Sequence, residues 1–163
     1  MKLATVAVAV LLSFAQLPPK EGKIESLKEP SANFASFTTY SWERGYDAHD
    51  PAVHKLIVQL IDSEMARRGF TQVKSGANVT LRYYTVVRTD VIMDKLDEFE
   101  KAGKPAPTKK MGRLVIVMKD AKDKRVWAAD TVQPLDDDRA KAQSDVQAVV
   151  PKLFDTYPIA PKK

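Results

Sequence analysis

No cysteine occurs among the 163 residues. Disulfides, cysteine nucleophiles, cysteine-ligated zinc and iron–sulfur clusters are therefore excluded. The absence does not fix a redox compartment, because a chain without thiols persists in either. Histidine is almost as scarce, with only His49 and His54. There is no Gly-x-Ser-x-Gly elbow and no glycine-rich phosphate loop, so the local signatures that expose a serine or cradle a phosphate are missing. Neither sign of charge dominates, since 26 bases stand against 21 acids. Nucleic-acid binders concentrate basic residues on one face. Here Lys and Arg are interspersed with Asp and Glu, and no nucleic-acid partner is expected. No internal repeat occurs. After Leu17 no apolar run approaches the roughly 20 residues that span a bilayer.

The one long apolar run is at the start. Met1-Lys2 is a minimal positive opening, residues 3–12 are almost wholly apolar, and Ser13 and Ala15 stand at the two positions a signal peptidase reads. This is the pattern of a short secretory signal peptide. Cleavage after Ala15 and an exported, periplasmic product are expected. Residues 16–33 are polar, carry Pro18, Pro19 and Pro30, and read as a tether. Within them, residues 23–27 are a weaker candidate for an edge strand. Residues 34–158 read as a single domain and 159–163 as a tail.

Within that domain, residues 112–132 are the most apolar stretch. Leu114, Ile116 and Met118 fall on one face of a strand, and Val115 and Val117 fall on the other. A strand apolar on both faces belongs in the middle of a sheet. The polar turn at 120–124 and the apolar Val126, Trp127 and Ala128 complete a hairpin with a five-residue loop. Residues 37–42 make an earlier strand, rich in aromatic and β-branched side chains that suit a core. Asp50-Pro51 then opens a helix, with Asp as N-cap and Pro at the first helical position. Val53, Leu56, Ile57, Leu60, Ile61 and Met65 line one side of it. Gly69 ends it, with Arg67 and Arg68 suited to its negative end, and Phe70 folds back onto the core.

Asn78 starts the next strand, residues 79–87, with Val79, Leu81, Tyr83 and Val87 on one face. Residues 88–111 mix charges with Gly103, Pro105 and Pro107 and read as a mobile excursion, with Ile92, Leu96 and Phe99 spaced for a short helix. A final helix presents Ala142, Val146, Val149, Val150, Leu153 and Phe154, and Pro151 is expected to kink or split it. The order is strand, helix, strand, strand, strand, helix. It predicts an α+β two-layer sandwich, a four-stranded, largely antiparallel sheet with two amphipathic helices on one face.

The segments NFASFTTYSW, MARRGF, VTLRYY, GRLVIVMKDAKDKRVW and LFDTYP, in that order and spacing, resemble the bacterial family called domain of unknown function 4136. The resemblance spans about residues 33–158. It implies an exported envelope protein of unassigned activity. Many members of that family are lipoproteins, but the cysteine that lipid attachment needs is missing here, so no lipid anchor is carried over. The family offers no catalytic residues to transfer.

Three groups of residues are candidates for chemistry. His49 and His54, with Asp47 and Asp50 nearby, are ligand types for a transition metal, but their spacing matches no recognised site. Asp136, Asp137 and Asp138 suit a hard cation or simply the positive end of the helix that follows. Neither group is expected to hold a metal, and no cofactor is expected. The third group lies on the sheet face away from the helices. There Arg82, Tyr84, Arg113, Val115 and Val117 would form an apolar and aromatic patch edged by positive charge, suited to a protein, a peptide or an anionic envelope component. The expected function is therefore binding, to an envelope protein or to a second copy, without catalysis. An envelope hydrolase and a nucleic-acid-binding sheet are the alternatives.

Overall fold

The computed structural model describes residues 21–45 and 47–162. The signal peptide expected at 1–15 and the start of the tether, to residue 20, lie outside these. The elements are β1 (Ile24–Lys28), β2 (Thr39–Trp42), α1 (Pro51–Arg67), β3 (Thr71–Gln72), β4 (Val79–Val91), α2 (Leu96–Lys101), β5 (Thr108–Asp120), β6 (Arg125–Pro134) and α3 (Arg139–Phe154).

β5 is a central strand, as its two apolar faces require. It pairs antiparallel with β4 on one side and β6 on the other. Ile116 lies between Tyr83 and Ala129, and Met118 between Leu81 and Trp127. All of these are buried, with Ile116 and Met118 at 0% exposure. Ile57, Ile61 and Met65 of α1 and Val150, Leu153 and Phe154 of α3 close over them in one core. Burying a side chain of this size contributes about 1.5–3 kcal/mol, so this layer is the main source of stability. α1 begins at Pro51 with Asp50 as N-cap, accepting from the Ala52 N–H at 2.8 Å. Gly69 ends it at φ +85, a conformation that costs glycine nothing.

Among the described residues the sheet has six strands in the order β1-β6-β5-β4-β2-β3, not four, and it is mixed. β2 runs parallel to both β4 and β3. The cause is connectivity, because α1 is a crossover between β2 and β4, and a helical crossover returns the chain in the same direction. β1 arises inside the expected tether, pairing Ile24–Lys28 with β6. Only Ile24 of β1 is even half-buried.

Three further expectations change. Strand β4 continues to Val91 and β5 begins at Thr108, with Val91 opposite Thr108. The excursion therefore shrinks to residues 92–107 and holds the short α2. The charges that interrupt the pattern at 88–91 and 108–111 sit on a two-stranded arm. Pro151 does not split α3, which runs unbroken from Arg139 to Phe154 with Pro151 near its end. The hairpin loop is four residues long. Asp120 Oδ1 accepts from the N–H groups of Lys122 and Lys124 at 2.9 and 3.0 Å, and Asp123 takes a left-handed φ of 61.

Asn78 does more than start a strand. Its Oδ1 accepts from the N–H groups of Thr38 and Thr39 at 3.0 and 3.1 Å and from both hydroxyls at 3.2 and 3.1 Å. It fastens the start of β2 to the start of β4.

Candidate functional site

The register of β4 and β5 gathers the five sheet-face residues. Arg82 lies opposite Val117, Tyr84 opposite Val115 and Val86 opposite Arg113. All five are half-buried. The arginines, however, are not bare charges. Arg82 is ion-paired with Glu43 and donates to the Tyr84 hydroxyl at 3.1 Å. Arg113 is ion-paired with Asp130 at 2.8 Å. Each positive charge is offset by a carboxylate, which weakens any steering of an acidic partner.

The histidines take separate roles. His54 Nδ1 lies 2.5 Å from the Tyr83 hydroxyl, which accepts the Ala48 N–H at 3.1 Å. Burial pushes the Tyr83 pKa up, so the hydroxyl stays protonated and ties the loop before α1 to the sheet. His49 is exposed. The three aspartates also diverge. Asp138 caps α3, accepting from Ala140 N–H at 2.7 Å. Asp136 pairs with Lys141 at 2.8 Å and Asp137 with Lys110 at 2.5 Å. Among the described residues no group of three or more histidines and carboxylates is placed to hold a metal.

Sequence reasoning missed a cleft of about 650 Å³. α1 and α3 run side by side in the same direction. Their C-terminal ends meet, where Arg68 of α1 donates to the Phe154 carbonyl at 2.8 Å. Their N-terminal halves leave a gap over the far ends of β4, β5 and β6. Val53 and Ile57 of α1 form one wall, Val146 and Val149 of α3 the other, and Val87 and Leu114 the floor. At the rim, Asp50 and Arg139 pair at 2.7 Å and join the two helix starts. The Ala52 N–H, with Arg139 adding to it, holds the Asp50 carboxyl below its ordinary value. The valines of the walls belong to the apolar stripes that the sequence shows. A stripe facing a gap and a stripe facing packed neighbours have the same spacing, so the sequence carries no sign of the cleft.

The family whose sequences match this chain is described as "Domain of unknown function (DUF4136)", and the match covers residues 24–159. No curated protein matches. Among solved structures, a PDZ domain protein from Parabacteroides distasonis is similar with a TM-score of 0.61 at 13% identity. That likeness covers 85% of this chain, which spans only 36% of the other. A PelC dodecamer from Paraburkholderia phytofirmans is similar with a TM-score of 0.51 at 11% identity, covering 82% of this chain and 96% of that one. At such identities the likeness is one of fold alone.

Proposed function

The chain belongs to the DUF4136 family, and on that premise we propose that it is an exported, periplasmic envelope protein that acts by binding an aliphatic ligand in the cleft between α1 and α3. The cleft carries this reading. Its size falls within the roughly 300–1,000 Å³ of small-molecule sites. Its apolar lining is valine, isoleucine, leucine, alanine and proline; charged side chains, Asp50, Arg113, Asp136, Asp137, Arg139 and Asp145, also line it, and no phenylalanine, tyrosine or tryptophan does among the described residues. Sugars and flat rings favour aromatic platforms; a hydrocarbon chain needs only apolar area removed from water. The sheet face with Arg82, Tyr84, Arg113, Val115 and Val117 is the weaker binding surface, because Glu43 and Asp130 already engage its arginines. Export rests on the apolar run of residues 3–12 and the small residues at 13 and 15.

The test uses a tritiated saturated fatty alcohol, titrated against the purified protein by equilibrium dialysis and then displaced by the unlabelled alcohol. Saturable binding is expected, with loss of most of it in Val87→Arg and Val146→Arg, each checked for folding by circular dichroism. Binding that survives in both folded variants would move the site elsewhere, and no saturable binding would end the reading. Mass spectrometry of the periplasmic fraction is expected to find Gln16 at the N-terminus. An intact Met1 on a cytoplasmic pool would overturn export.

A further inference from the structure

Strand β4 has two neighbours along only part of its length. β2 accompanies it at Val79, Thr80 and Leu81, and the Glu43 N–H then donates to the Leu81 carbonyl at 2.7 Å. Beyond the β2 pairing, residues 86–91 have β5 on one side and no paired strand on the other among the described residues. Because the Leu81 carbonyl faces β2, alternation turns the N–H and C=O groups of Val87, Thr89 and Val91 to that same open side. Natural sheet edges are commonly guarded by charge, proline or shortness. The other two edges here are. β1 carries Lys23, Glu25 and Lys28 within or beside it, and β3 is two residues long. The β4 edge has no proline or lysine, and its two charges, Arg88 and Asp90, offset each other. Val86, Val87 and Val91, along with Met93 just beyond, are four of the five large apolar residues that are exposed among the described residues.

We propose that this edge pairs with the same edge of a second copy, antiparallel, about a two-fold axis at Thr89. Only a register centred on a residue, not between two, brings the outward groups of both strands face to face. Centring on Arg88 sets that arginine against its own copy, and centring on Asp90 does the same for the aspartate; like charges directly opposed are destabilising. Centring on Thr89 sets Arg88 opposite Asp90 of the second copy, twice. It also sets Val87 opposite Val91 of the second copy. Arg88 and Asp90 already attract each other within the strand at 3.0 Å, and the second copy offers each the same chemistry across the interface. The contact is isologous, as a two-fold dimer requires, and the residues at its centre, Arg88, Thr89 and Asp90, do not line the cleft.

The test is sedimentation of the full chain across a wide concentration range. A monomer–dimer equilibrium is expected for the unaltered protein. Arg88→Asp and Asp90→Arg should each be monomeric alone, because each opposes like charges. Mixed in equal amounts they should form a heterodimer, since one copy is acidic at both positions and the other basic. Thr89→Pro removes only an outward N–H and should also be monomeric, with cooperative unfolding kept. A monomer at every concentration, a dimer that survives all three variants, or a mixture that stays monomeric would each overturn the proposal. If Thr89→Pro fails to fold, the charge-exchange pair still decides.

Discussion

Arg68 and Glu64 form an ion pair one turn apart at the end of α1, and both side chains are buried. Arg68 also donates to the Phe154 carbonyl at 2.8 Å and stacks over the Phe154 ring, 5.2 Å from its centre. The pair fastens the C-terminal end of α1 to that of α3, while the N-terminal ends stay apart around the cleft. Removing Arg68 leaves the buried Glu64 carboxylate paired with the exposed Arg67 and takes the donor from the Phe154 carbonyl. Arg68→Ala is expected to cost about 3–5 kcal/mol. Arg67 pairs with the same glutamate but is 58% exposed, and Arg67→Ala should cost less than about 1 kcal/mol. Urea unfolding of the two variants measures the difference. Equal costs would mean that Arg68 is solvated.

Much of this architecture is legible because particular residues leave little choice. Asp50-Pro51 and Gly69 bound α1, and the two apolar faces of 114–118 put β5 at the centre. What is illegible has physical causes. β1 and β3 are edge strands made largely of solvated residues, and an edge strand needs no apolar period. The parallel pairing of β2 follows from the α1 crossover, which no local pattern announces. Residues 88–91 look like a loop because the arm they form leaves the helices behind. The arginine partners Glu43 and Asp130 come from other segments, so a face that reads as basic is close to neutral.

Gly45 passes close to β4. A Cβ at this position would overlap the Tyr83 carbonyl oxygen, so the backbone must move to admit any other residue. Gly45→Ala is expected to destabilise by about 1–3 kcal/mol, the usual cost of overpacking. It should also disturb the Tyr83–His54 contact beside it. Thermal unfolding of Gly45→Ala against Gly76→Ala is the comparison. Gly76 has open space around it, but its positive φ of 68 gives it a strain cost of its own, about 1–2 kcal/mol. The distinguishing signal is therefore the tyrosine environment by near-ultraviolet circular dichroism, which only Gly45→Ala should alter.

Three tyrosines make stability depend on alkaline pH. Burial pushes Tyr40, Tyr83 and Tyr157 above the ordinary tyrosine value, with Asp62 adding to the effect at Tyr40. Their neutral forms are favoured in the folded state, whereas an unfolded chain ionises them near pH 10. Their contribution is therefore complete below about pH 10 and falls as the pH rises toward the raised folded values. Unfolding free energy should decline steeply above about pH 10. Tyr157→Phe should decline less steeply. The Tyr157 hydroxyl is buried without a hydrogen-bond partner among the described residues, so this change should cost nothing at neutral pH and is expected to stabilise by up to about 1 kcal/mol. A large loss at neutral pH would mean that the hydroxyl is satisfied in solution.

The sandwich is one-sided, and neighbouring residues of β5 measure this directly. Ile116 points to the helices, lies between Tyr83 and Ala129, and is fully buried. Val115 points the other way, between Tyr84 and Asp130, and is half-buried. Both are β-branched, so strand propensity changes little between their alanine variants. Ile116→Ala removes buried carbons from a core that closes on both layers and should cost about 2–5 kcal/mol. Val115→Ala removes fewer carbons from a face that no helix covers among the described residues, and should cost about 1 kcal/mol. Chemical denaturation of the two proteins at equal concentration gives the ratio. A cost for Val115→Ala as large as that for Ile116→Ala would mean that another layer covers the helix-free face in solution. Val115 would then be the residue from which to search for that layer, with Tyr84→Ala expected to release it.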